Sequence, residues 1–167
     1  EMGDLREASD LYLLLAMQAK LDGFASRVGP ALAKALACDP MHVEAVMAQC
    51  HEDFDAGRAE VAEQRCRSLI LRLMAAGRWT DACGLSAWSA RFADDPVDFR
   101  LYEARCRFAL GEREEAWAAV TKALPYLGAE AGEAAGEFVR RMHELLPDAG
   151  EVVEWTGARL TAGRTSA

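Results

Sequence analysis

Apolar residues recur every three or four positions through nearly the whole chain, and no stretch shows the strict alternation of a half-buried strand. The pattern predicts short helices punctuated by glycine and proline. Glu7–Lys20 reads as an amphipathic helix with Leu11, Leu14, Leu15 and Gln18 near one face, ended by Asp22-Gly23. Phe24–Cys38 resumes the pattern, but Gly29-Pro30 interrupts it, so either a helix begins at Pro30 or a longer one kinks there. After the Asp39-Pro40 boundary, Met41–Asp55 is a further helix carrying Val43, Val46, Met47, Cys50 and Phe54. Ala59–Ala76 is the most one-sided, with Ala62, Cys66, Leu69, Ile70 and Leu73 within about one third of the helical wheel. Trp79–Phe92 follows.

Asp95–Tyr126 holds two helical patterns meeting at Leu110-Gly111-Glu112. Phe99, Tyr102, Cys106 and Ala109 form the stripe before the bend, and Ala116, Ala119, Val120, Ala123 and Leu124 the stripe after it. Pro96 suits an early helical position, and Gly111 stands where a C-terminal cap needs positive φ. Gly128–Gly136 interrupts the pattern with three glycines; Glu137–Leu146 and Glu151–Leu160 then read as shorter helices, and Thr161–Ala167 as a frayed end. The predicted fold class is all-α.

The bends keep a regular distance. Gly23 and Gly57 are 34 residues apart, as are Gly77 and Gly111. Five residues after each glycine stand Val28, Ala62, Ala82 and Ala116; seven before stand Ala16, Cys50, Ile70 and Ala104, small in every case but Ile70. Two antiparallel helices joined by a tight turn approach closely only where small side chains face each other. One such pair cannot bury both its apolar faces, so pairs stack. The step from Gly57 to Gly77 is 20 residues. Ala59–Ala76 is then shared between two pairs or is a lone inserted helix, and the direction of stacking changes near Gly77.

This pattern resembles the tetratricopeptide repeat family. The likeness rests on Ala104, Gly111, Ala116 and Ala123-Leu124 in residues 95–126; on Ala16, Gly23, Ala35-Leu36 and Asp39-Pro40 in residues 9–42; and on Cys50, Gly57 and Ala62 in residues 43–76. The family's preferred first-helix Trp and Tyr positions are not filled. The resemblance implies an α-solenoid of about three to four helix pairs over residues 9–126, flanked by residues 1–8 and by C-terminal capping helices and tail over 127–167. It also implies a concave groove lined by first helices, with Leu13, Met17, Met47, His51, Phe54, Leu101, Arg105 and Phe108 facing a partner. The competing reading places these Met and Phe side chains in the core. The Lys and Asn of the family's clamp for a chain-terminal carboxylate are missing from those positions, since the chain has no Asn and its three Lys lie elsewhere.

Composition narrows the function. Half-apolar content and 28% charged residues describe a folded protein, and a net charge of −8 disfavours nonspecific nucleic-acid binding. Sixteen Arg against three Lys, with abundant Ala and Gly, match the coding bias of a GC-rich bacterium. Five cysteines (Cys38, Cys50, Cys66, Cys83, Cys106) spread singly through helices read as packing residues in a reducing cytoplasm. Leu11–Met17 is too short to span a bilayer and lacks a basic leader. Glu1 as first residue fits an excised domain or a processed form.

Arg58, Arg65 and Arg72 are spaced by seven, as are Arg100 and Arg107, and together they read as a basic rim able to hold an acidic peptide. The competing reading pairs them locally with Glu63, Glu103 or Asp98. Catalytic motifs come out poorly. Pro147 stands where a zincin helix starting at His143-Glu144 needs its second His, and His51-Glu52 fails likewise at Asp55. Gly84-Leu85-Ser86-Ala87-Trp88 lacks the last glycine of a nucleophile elbow. A metal at Cys38, His42 and Cys50 is a minor option. The expectation is a non-catalytic scaffold or adaptor without cofactor or metal, binding a peptide or helix of a protein partner. The alternative is a regulatory or oligomerisation domain of a larger bacterial signalling or transcription-control protein, self-associating through Leu11–Met17 or the C-terminal cap.

Overall fold

The computed structural model describes residues 2–127 and 131–162, with backbone alone for Met2, Gly3, 131–135 and Ala162. Among them are nine α-helices and one short 3-10 helix, and no strand. The chain divides into two compact units, Glu1–Ala75 and Ala76–Ala167. The division falls in the short step between Gly57 and Gly77.

The first unit holds α1 (Met2–Leu21), α2 (Ala25–Cys38), α3 (Val43–Asp55) and α4 (Ala59–Ala75). Each packs on the next, and α1 also reaches α3. The second unit holds α5 (Trp79–Ser89), α6 (Val97–Ala109), α7 (Arg113–Ala123), the 3-10 helix Leu124–Leu127, α8 (Ala131–Leu145) and α9 (Gly150–Ala162). Here α6 lies against both α5 and α7, and α8 against α9 and α6.

The predicted bends are present. Among the described residues Gly23, Gly57, Gly77 and Gly111 are the glycines with positive φ, between 71° and 82°. Three of them close in the same way. The glycine N–H donates three residues back (Gly57 to the Phe54 carbonyl at 2.9 Å), and the next N–H five back (Arg58 to the Asp53 carbonyl at 2.8 Å). This is the Schellman pair that satisfies the last carbonyls of a helix, and glycine is favoured because a Cβ disfavours that φ. The same bonds recur at Gly23 with Phe24 and at Gly111 with Glu112.

Ala16, Cys50, Ala104, Val28, Ala62, Ala82 and Ala116 are all buried. The close approach is explicit at Gly57, where the Cys50 thiol donates to the Ala62 carbonyl at 3.5 Å and lies 3.3 Å from the Cys66 sulfur. Behind the first bend, Ala16, Ala19, Val28 and Leu32 form one core cluster with Leu13 and Ala48 packed against it. In the second unit the largest fully buried side chains are Tyr102, Phe99, Phe138, Leu85, Leu101 and Met142.

Several expectations need correction. The first helix begins at Met2, well before Glu7. Three of its leucines point outward, Leu11, Leu14 and Leu15 each about 60% exposed, while the buried positions of α1 are the small residues Ser9, Ala16 and Ala19, with Ser9 donating to the Ala35 carbonyl of α2. Of the two alternatives at Pro30, the start of a helix is excluded and the longer helix is found, with Pro30 inside α2. Gly132 and Gly136 are within α8, which starts at Ala131, so the glycine-rich stretch breaks the helix no further than that; residues 128–130 lie outside the described residues. Thr161 is in α9, its hydroxyl donating to the Gly157 and Ala158 carbonyls, while 163–167 are outside the description.

Candidate functional site

Where α1, α2 and α3 meet, a cleft of about 120 Å³ opens in the first unit. Its floor is Ala16, Val28, Leu32 and Ala48, the small and aliphatic residues that let these helices approach. Met17 and His51 wall it from α1 and α3. These two residues are 34 apart, and both are among the groove positions that the family resemblance implies. Lys20 bounds the cleft by donating to Glu52 at 2.6 Å, with Asp55 at 3.8 Å. The Glu52 hydrogen bond raises the Lys20 ammonium above its ordinary value. The cleft is therefore apolar inside with an ion pair at its edge, and it has room for one aliphatic side chain.

The other groove candidates fare differently. Met17 is 55% exposed, whereas Met47 and Phe54 are half-buried on α3 and do not line this cleft. Leu13 packs on the core cluster. Leu101 has no exposed surface, so it is a core residue of the second unit and no partner can touch it.

Arg105 and Phe108 do share a cleft of about 370 Å³ in the second unit, with Arg113, Asp148, Glu151 and Val152. Its walls carry both signs of charge. The Arg105 guanidinium lies over the Trp79 ring at 5.1 Å. Phe108 is capped by the Arg113 guanidinium at 5.0 Å and meets Trp155 of α9 edge-on at 5.4 Å. Trp155 in turn meets Trp117 at 6.2 Å, and Arg159 lies over both indoles while pairing with Glu114 at 2.9 Å. This aromatic and arginine cluster ties α6, α7 and α9 together. Sequence reasoning passed over it, although Trp155 and Arg159 stand four apart, the spacing that stacks two side chains on one helical face.

The basic rim separates into distinct arrangements. Arg58 donates to the buried Asp53 carboxylate at 2.7 and 3.1 Å, and Arg65 to its other oxygen at 3.3 Å. Arg100 pairs with Glu103 at 2.6 Å, and Arg107 with Glu112 at 2.8 Å and Glu103 at 3.9 Å. Arg100 and Arg107 are therefore neutralised where they stand, as the local-pairing alternative had it for Glu103, and they do not form a free rim. Asp98 serves Arg141 of α8 instead. Among the described residues Arg72 reaches the Pro40 carbonyl alone, at 3.5 Å.

The proposed metal trio does not assemble. The His42 ring lies between Asp10, 2.7 Å from Nε2, and the Ala45 N–H, which donates to Nδ1 at 3.3 Å and so caps α3. Cys50 faces Cys66. Among the described residues no three His, Cys, Asp or Glu side chains are gathered to hold a metal ion. None of the five cysteines forms a disulfide. The Cys66 contact and burial push the Cys50 thiol up, burial pushes Cys83 up, and burial raises Cys106 to about 12. Those three thiols are held protonated at neutral pH. No described helix is long and apolar enough to cross a membrane. No family model, curated protein or solved structure matches this chain.

Proposed function

We propose that the chain is a non-catalytic interaction scaffold of tetratricopeptide-repeat type, its helix pairs forming an α-solenoid. It takes a peptide or helix of a protein partner along the face carried by α1 and α3. The observation supporting this reading is the cleft walled by Met17 and His51, equivalent positions one 34-residue step apart, over a floor of small core residues. An aliphatic side chain of the partner enters the cleft, where the flexible thioether of Met17 adapts to its shape. The Lys20–Glu52 pair at its edge offers polar groups to the partner's backbone. Arg105 and Phe108 offer a further contact on the second unit. Cysteines outside any disulfide fit a reducing compartment, the bacterial cytoplasm in this reading.

The test is capture of partners from lysate of the source cell on immobilised chain, beside a Met17→Glu/His51→Ala variant and an Arg105→Ala/Phe108→Ala variant. Loss of a saturable partner with the first variant, at an unchanged circular dichroism spectrum, is the expected result. Recovery unaltered in both variants rejects the groove. A second reading, a regulatory or oligomerisation domain, is favoured by the outward leucines of α1.

A further inference from the structure

We propose that the first unit carries a second docking surface, between the C-terminal end of α2 and α4, which takes an acidic protein segment bearing aliphatic side chains. A cleft of about 450 Å³ lies there, walled by Leu36 of α2 and by Val61, Arg65, Ser68, Leu69 and Arg72 of α4. It shares no lining residue with the Met17–His51 cleft, so it stands or falls independently of the scaffold groove.

Charge identifies the occupant. The chain has a net charge of −8, yet no acidic residue lines this cleft. Arg65 shares the Asp53 carboxylate with Arg58, so those three groups sum to one positive charge. Arg72 adds another, since its polar contact among the described residues is the long bond to the Pro40 carbonyl at 3.5 Å. Two cations thus remain over an aliphatic floor. Val61, 47% exposed, stands between the Arg58 and Arg65 turns, and buried Leu69 closes the base. Guanidinium groups one or two helical turns apart match carboxylates on one edge of a peptide, and the valine and leucines match aliphatic side chains on the other. A nucleic acid fits less well, because phosphate binding draws on many cations and has no use for an aliphatic wall.

The full chain is titrated into a fluorescent synthetic peptide of alternating Glu and Leu, with an alternating Lys and Leu peptide and a single-stranded DNA oligonucleotide as comparisons. Anisotropy is expected to show saturable binding of the Glu-Leu peptide that weakens as salt rises, and none for the other two probes. Arg72→Glu weakens that binding about tenfold or more. Val61→Asp also weakens it, while Arg140→Ala, at an exposed arginine of α8 in the second unit, leaves it unchanged. Absence of saturable Glu-Leu binding overturns the proposal, as does equal affinity in the Arg72→Glu and Val61→Asp variants. Tighter binding of the oligonucleotide than of the peptide overturns it in favour of nucleic acid.

Discussion

Ala116 sits five residues beyond Gly111 with no exposed surface, on the helix that packs against α6. Ala116→Leu adds three carbons where there is no room, and a cost of about 1–3 kcal/mol is expected in urea denaturation. An unchanged midpoint would mean that the position is not tightly packed. Asp53 is the opposite kind of residue, a buried carboxylate whose oxygens are taken by Arg58 and Arg65. Asp53→Ala leaves two guanidinium groups without their acceptor, and about 1–3 kcal/mol should be lost in the same measurement. Cys106 supplies a pH dependence. Its folded thiol is raised to about 12 by burial, from an ordinary value of 9.0. The unfolded chain therefore releases this proton at lower pH than the folded one. The stability it contributes is complete below about pH 9 and is lost as pH rises towards 12. Chemical denaturation across that window should show a shallower decline for Cys106→Ala than for the parent.

Helices and bends divide into parts that local chemistry decides and parts that it does not. Gly57 adopts φ 72°, so Gly57→Ala should cost about 1–2 kcal/mol in a thermal melt. Gly84 lies exposed inside α5, where an added Cβ would meet nothing beyond its own helix backbone within 4 Å, and Gly84→Ala should stabilise by about 0.5–1 kcal/mol. The bends were legible in the sequence because a Schellman turn is built from its own six residues, and the buried small residues were legible because they keep fixed distances from it. The packing side of α1 was harder to read. Its leucines make the more apolar face, but proximity to α2 selects the smaller one, and that depends on the partner helix. Likewise Gly132 and Gly136 read as a break, yet the Ala- and Glu-rich context carries α8 through both. At the candidate site, the family resemblance gave Met17 and His51 among the groove positions, 34 residues apart. It missed the cover that Trp155 and Arg113 give Phe108, because α9 lies outside the 34-residue spacing.

Across the whole molecule the exposed apolar surface is unevenly spread. Leu11, Leu14 and Leu15 stand out on α1 with Leu21, which is 82% exposed, forming a strip that contiguous burial would stabilise. Sedimentation equilibrium is expected to show concentration-dependent self-association that Leu11→Glu/Leu14→Glu abolishes; a constant single-chain mass for the parent would count against it. The bends have a different consequence at this scale. Each corner at Gly23, Gly57 and Gly111 is fastened by bonds that begin and end within its own few residues. A stretch excised at one corner and spliced in at another would meet the same stereochemistry at both seams. The joint is therefore set by local stereochemistry, whichever helices it connects.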